Sequence, residues 1–198
     1  MGGAMLAGWL ESGIGTDAIV VVDPRPSDAM AQRLSDLGIR HETSVPDGVT
    51  AGVLLLAVKP QVMQAALEPA RSLVGPETVS ISIAAGKTIA FFEEHLGGAI
   101  VRSIPNTPSM VRRGITACVA NAAVAPSMRA EADSLLAVCG PVEWVEDEAL
   151  IDAVTALSGS GPAYVFYLVE CMAEAGRKCR PPADLAHRLG PAARTGAG

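Results

Sequence analysis

A succession of short, β-branched apolar runs, spaced by segments of helix length, constrains this chain more than any other feature. Ala18-Ile-Val-Val-Val-Asp23, Val53-Leu-Leu-Leu-Ala-Val58, Val79-Ser-Ile-Ser-Ile83 and Ala99-Ile-Val-Arg-Ser103 read as strands, with further candidates at 39–41, 114–120 and 141–145. The first of these has the composition of a parallel strand covered on both faces. Residues 1–10 read as a helix that Gly13 and Gly15 end, and Ser27 caps a second helix through about 36, stopped by Gly38. Pro60 breaks a strand ahead of a helix over 61–73, and further helices are expected over 89–96 and 126–138. Strands so continuously apolar need cover on both sides, and helices returning between them supply it. The pattern predicts an α/β fold with a doubly wound, mostly parallel sheet.

From Glu148 onward the period is helical, interrupted only at Ser158-Gly159-Ser160-Gly161-Pro162. The domain boundary is placed near Ala156, giving a sheet domain over 1–156 and a partial helical domain over 157–198. Residues 176–198 carry five Lys or Arg against one acid and include Pro181, Pro182 and Pro191. They are expected to form a poorly ordered end.

With 198 residues, 49% apolar and 18% charged, the chain can bury one substantial core. Its apolar runs, residues 53–58 among them, are far short of the roughly 20 residues that cross a bilayer as a helix. No basic cluster precedes an apolar segment at the start, so no membrane association and a cytoplasmic location are expected. A formal charge of −6 argues against nucleic acid as a partner. Cys118, Cys139, Cys171 and Cys179 lack C-x-x-C spacing, and His41, His95 and His187 are scattered singly. No metal site is expected, and the histidines read as surface or internally satisfied groups.

A dinucleotide site in such a sheet needs a Gly-rich turn from the first strand into the first helix, so that backbone N–H groups reach a pyrophosphate. Met1-Gly2-Gly3-Ala4 offers only the last part of a G-x-G-x-x-G pattern, and taken alone it reads as a flexible helix start. Asp23 ends the next strand about 20 residues later, where an acid binds ribose hydroxyls. An Asp-Pro turn with Pro24 is the alternative. Arg25 and Ser27 are placed to hold the 2′-phosphate of NADPH, while the Asp23 carboxylate suits NADH, and both cofactors stay open.

Three motifs fall at strand or helix ends in a fixed order: Ala57-Val58-Lys59-Pro60-Gln61, Pro105-Asn106-Thr107-Pro108, and Leu157-Ser-Gly-Ser-Gly-Pro-Ala-Tyr164. In combination the chain resembles the pyrroline-5-carboxylate reductases from Met1 to about Gly176. The resemblance implies a Rossmann-like cofactor domain and a helical dimerisation domain, in a homodimer or higher homo-oligomer. It also implies NADPH or NADH as cofactor and pyrroline-5-carboxylate as small-molecule substrate, reduced to L-proline in proline biosynthesis.

Within that resemblance, Gly2, Gly3, Asp23, Arg25, Ser44, Ala57, Val58, Lys59, Pro60, Ala84, Ala85 and Asn106 would face the cofactor. Ser44 aligns with a position contacting the adenosine ribose. Ala84, Ala85 and Gly86 would let the dinucleotide pass close to the backbone, and the Asn106 amide would orient the carboxamide. Ser158, Gly159, Ser160 and Gly161 would receive the substrate carboxylate at a helix start. Read as isolated residues, Lys59 is a solvated strand-end lysine, Asn106 a turn asparagine and 158–162 a kink between helices.

No Ser-His-Asp set, catalytic carboxylate pair or metal-ligand spacing accompanies these motifs, and no side chain is singled out as catalytic. Two rival readings stay open. A β-hydroxyacid dehydrogenase-like reductase would carry a Lys early in the helix after the boundary, yet the first basic residues after Pro162 are Arg177 and Lys178. An inactive remnant with weak dinucleotide binding is the other, because the resemblance implies a first strand, two earlier glycines and later helices that this chain is expected to lack or to carry in altered form.

Overall fold

The computed structural model describes residues 1–178 and, beyond them, 185, 188, 189 and 192. Most of the tail expected to be poorly ordered, with Cys179 and His187, therefore lies outside the described residues. Two compact units divide at Asp152 and Ala153.

The first unit is an α/β layer structure built on a mostly parallel sheet, as the alternation of apolar runs predicts. Its elements are α1 (Gly2–Glu11), β1 (Val20–Val22), α2 (Asp28–Asp36), β2 (Arg40–Glu42), β3 (Val53–Leu56), α3 (Met63–Ala70), β4 (Val79–Ser82), α4 (Ile89–His95), β5 (Ala99–Pro105), β6 (Thr116–Ala120), α5 (Pro126–Ala137) and β7 (Val142–Trp144). The strands form two sheets. β1 pairs with β2, and β3 to β7 run in sequence order, all neighbours parallel except β5 with β6.

Local chemistry sets several element ends. The Ser27 hydroxyl accepts the Met30 N–H at the start of α2, and Thr88 does the same for Phe91 in α4. Gly38, with φ +64°, releases the chain after α2. The segment expected as one helix over 61–73 is instead a 3₁₀ turn (Pro60–Val62), α3 and a second 3₁₀ turn (Arg71–Leu73). Pro69 lies inside α3 and lacks the N–H that would extend its bonding, so the last turn tightens.

Helix α1 lies over the seam between the sheets. Met5 packs into the large core with Val79, Ile81, Val101, Cys118 and Leu136, while the adjacent Leu6 packs with Leu34 and Ile39 under the small sheet. Among the described residues, β1 has a hydrogen-bonded neighbour only in β2, and β3 only in β4. This corrects the expectation that the 18–23 run is covered on both faces: Val20 is 40% and Val22 37% exposed. Burial of a β-branched strand depends on the elements stacked beside it, and a two-stranded sheet offers too few. The strand is also shorter than expected, because Thr16–Ala18 closes into a 3₁₀ turn.

Burial pushes the Cys118 thiol up from the ordinary 9.0 to about 12, reinforced by the negative charge of Asp133 and opposed by Arg129. The folded state therefore holds this proton more tightly than the unfolded state. Its contribution is intact below pH 9.0 and is lost as pH rises toward 12. We expect unfolding free energy to fall above pH 9 with a slope of up to roughly 1.4 kcal/mol per pH unit. Urea titrations of the parent and of Cys118→Ala across that range check this. An equal slope in both would remove the role of Cys118.

Candidate functional site at the carboxyl edge of the sheet

Parallel strands end on one side, and that side gathers the residues singled out from the sequence. Asp23 follows β1, Ser44 lies just beyond β2, Ala57 to Pro60 follow β3, Ala84 and Ala85 follow β4, and Asn106 follows β5. The amino end of α1 comes to the same edge, where a Cβ built on Gly2 would sit 3.0 Å from the Ala57 Cβ. One built on Gly3 would sit 3.1 Å from the Met30 Cε. Glycine at both positions lets the helix start approach the end of β3 and the first turn of α2. No side-chain cap covers that start.

The Asp23 turn is tied from several directions. The Asp23 N–H donates to the Glu42 carbonyl at 3.0 Å, and the His41 ring Nε2 lies 2.9 Å from the Asp23 carbonyl oxygen. One carboxylate oxygen of Asp23 accepts the Arg25 N–H at 2.9 Å, an Asx turn around Pro24. The expected Asp-Pro turn is therefore present, and it coexists with a carboxylate at the strand end. The Arg25 side chain is exposed; Ser27 spends an acceptor site on the α2 cap.

Lys59 and Ala57 are exposed, and Val58 and Pro60 are half-buried. Ala84 is buried beside exposed Ala85, and Gly86 turns the chain with φ +72°. Asn106 is 9% exposed and binds inward: its Oδ1 accepts the Ile115 N–H at 3.0 Å, closing the loop between β5 and β6. That bond fits the turn-asparagine alternative, and its origin in the antiparallel return of β6 is invisible in a local motif. The loop is dense, since a Cβ at Gly114 would lie 2.2 Å from Ser109 Oγ and 2.9 Å from Asn106 Oδ1. Met110 and Val111 stand outward from it, 73% and 69% exposed.

From Glu148 onward the sequence period predicts helix broken at 158–162. The break begins earlier: α6 (Leu150–Val154) runs into a π-helical turn (Thr155–Gly159), and α7 (Gly161–Lys178) follows. The Ser160 N–H donates to the Thr155 carbonyl, and the Ser158 and Ser160 hydroxyls donate to the carbonyls of Val154 and Thr155. Among the described residues a Cβ at Gly161 would meet nothing within 4 Å, so close packing does not require glycine there. On α7, Tyr164, Phe166, Tyr167 and Leu168 are more than half exposed.

Sequence reasoning missed Arg102. On β5, with its side chain 5% exposed, it pairs with Glu148 at 2.7 Å, and the same Glu148 oxygen accepts the Ile89 N–H at the start of α4. The partners are 46 residues apart, and the only local signal is a charge inside an otherwise apolar strand. Among the described residues, no group of His, Cys, Asp and Glu is arranged to hold a metal ion, and no helix is long and apolar enough to cross a membrane.

A mostly parallel sheet with small residues and an acid at its carboxyl edge defines a dinucleotide-binding type of α/β unit. Comparison with known proteins narrows the class. Residues 1–86 match the family described as NADP oxidoreductase coenzyme F420-dependent, and residues 148–198 match pyrroline-5-carboxylate reductase dimerisation. A pyrroline-5-carboxylate reductase of Pseudomonas aeruginosa is 36% identical over 196 residues, 96% of this chain and 72% of the relative. One from Pasteurella multocida is 36% identical over 88% of this chain and 66% of its own length. Among solved structures, a pyrroline-5-carboxylate reductase from Coxiella burnetii superposes with a TM-score of 0.87 at 32% identity, covering 98% of this chain and 73% of that one. A Plasmodium falciparum pyrroline carboxylate reductase with NADP bound gives 0.83 at 25% identity, over 99% and 72%. The chain belongs to the pyrroline-5-carboxylate reductase family. Its match to the dimerisation model runs through residue 198, past the point near Gly176 where the resemblance was expected to end.

Proposed function

We propose that this protein is an NAD(P)H-dependent reductase of pyrroline-5-carboxylate, acting in the cytoplasm to form L-proline. The observation that carries the reading is the approach of α1 to β3: Gly2 lies so near Ala57 that an added Cβ would stand only 3.0 Å from the Ala57 Cβ, on the edge where Asp23, Ala84 and Ala85 also lie. This is a cradle of backbone and small side chains, and it fits a dinucleotide. Gly2 and Gly3 would face the pyrophosphate, Asp23 and Ser44 the adenosine ribose, and Arg25 a 2′-phosphate. Ala57 to Pro60, Ala84 and Ala85 would line the path toward the nicotinamide, with Lys59 contributing a cation there. Asn106 would hold the neighbouring loop in shape through its bond to Ile115, and its amide would face the carboxamide.

A bound reduced nicotinamide supplies a hydride. With the imine nitrogen already protonated, a hydride reaching the imine carbon would push the C=N electron pair onto that nitrogen, so these residues would need to supply no strong acid. The task of these residues is positioning and exclusion of water. Ser158, Gly159, Ser160 and Gly161 would receive the substrate carboxylate. To donate to it, Ser158 and Ser160 would turn their hydroxyls away from the Val154 and Thr155 carbonyls. The exposed Tyr164, Phe166, Tyr167 and Leu168 of α7 suit burial against a second copy, and we assign a homodimer to that face.

Titrating the protein with NADPH and with NADH while following nicotinamide fluorescence tests the reading. Saturable binding of at least one is expected, followed by its oxidation on adding pyrroline-5-carboxylate, in a species of twice the 20.3 kDa chain mass by light scattering. Absence of saturation with both cofactors overturns the assignment.

A further inference from the structure

The Asp23 turn is held by a side chain that no motif accounts for. In the β1–β2 ladder His41 stands opposite Val21, and from there its ring reaches forward to the Asp23 carbonyl at 2.9 Å. A carbonyl oxygen can only accept, so Nε2 carries the hydrogen and donates it. Asp23 thus has both backbone polar groups fixed by β2, its N–H on the Glu42 carbonyl and its C=O by His41.

The two ties have different consequences. The N–H bond anchors Asp23 as the last rung of the ladder. The carbonyl belongs to the peptide plane joining Asp23 to Pro24, and that plane is rigid. The Pro24 ring then restricts its own φ, and the Asp23 carboxylate takes up the Arg25 N–H. Once His41 sets the plane, little freedom remains between Asp23 and Arg25.

We propose that His41 is a positioning residue for cofactor choice. By donating to the Asp23 carbonyl it holds the turn that aims Arg25 at a 2′-phosphate, and so favours NADPH over NADH. This rests on the dinucleotide reading above. On this reading the effect of His41 passes through the backbone it holds.

The test uses His41→Leu, which keeps bulk but removes the donor, and His41→Gln, which restores an N–H at similar reach. Arg25→Ala is measured in parallel. Dissociation constants for NADPH and NADH are read by fluorescence, with thermal midpoints on the same samples. His41→Leu should weaken NADPH by about fivefold, the scale of one lost hydrogen bond, and leave NADH within about twofold. His41→Gln should recover most of the NADPH affinity. A purely structural histidine would lower the thermal midpoint and weaken both cofactors together, which overturns the proposal. An unchanged NADPH to NADH ratio in His41→Leu, with a shifted ratio in Arg25→Ala, also overturns it and leaves the site standing. No shift in either variant, or no binding by the parent, removes the site reading and this proposal together.

Discussion

Gly140→Ala is expected to lower unfolding free energy by about 3–5 kcal/mol, a large share of the roughly 5–15 kcal/mol typical of a folded domain. Gly140 sits between α5 and β7 with φ +130°, a region side chains avoid. A Cβ there would lie 2.0 Å from the Gly114 carbonyl oxygen and 2.8 Å from its carbon. Both contacts are backbone, so no rotamer change relieves them. Gly114 is itself tied to the Cys139 carbonyl and leaves no room for a Cβ beside Ser109 and Asn106. The displacement would therefore travel into the loop carrying Asn106 at the carboxyl edge. Gly13→Ala is the control: its φ is +92°, but nothing lies within 4 Å of the added atom, leaving only a backbone cost of about 1–2 kcal/mol. Urea denaturation of the two variants checks the contrast. Equal losses would mean that the Gly140–Gly114 contact carries no weight.

Glu148→Ala should cost about 3 kcal/mol, because it leaves the buried Arg102 guanidinium without its close acid and the Ile89 N–H without its acceptor. Arg102 has little reserve, since its Nε already lacks a partner among the described residues. Asp152 stands 3.8 Å from the guanidinium and is 92% exposed, so water screens it. Asp152→Ala should change stability by less than about 1 kcal/mol. Adding Arg102→Met to Glu148→Ala should recover much of the loss, since the apolar side chain removes the stranded charge. Denaturant titration of the double variant decides the matter. A double variant less stable than Glu148→Ala would show that Arg102 stabilises through packing rather than through this pair.

The parallel part of the fold was legible because its signals are local. Pro105 closes a strand, Ser27 and Gly38 bracket a helix, and runs rich in β-branched and other apolar residues such as 53–58 and 79–83 belong in a covered sheet, although the first strand ends at Leu56 rather than at Pro60. The order of the Ala57, Pro105 and Leu157 motifs pointed to the family for the same reason. What was hidden depends on neighbours distant in sequence. Val20 and Val22 have the composition of interior residues, and their exposure follows from what stacks beside β1. The Arg102 pair joins β5 to a residue beyond β7, and the inward turn of Asn106 depends on how β6 returns. Among the site residues, sequence placed Asp23 and Ala57 at strand ends. It gave no sign that His41 holds the turn between Asp23 and Arg25.

The seating of α1 has a consequence for how the molecule comes apart. Met5 and Leu6 are adjacent, yet each is buried in a different core. The small sheet is thus fastened to the rest largely through one helix, and its own core of Leu6, Leu34 and Ile39 is modest beside the one under β4 and β5. Such a small core is expected to open at a lower free energy than the five-stranded sheet, as its own rung in a ladder of partial unfolding. The Asp23 turn rides on that rung. A ligand bridging the Asp23 turn and the end of β3 would draw on the opening free energy of that small core, so its affinity would report how often the small sheet is closed.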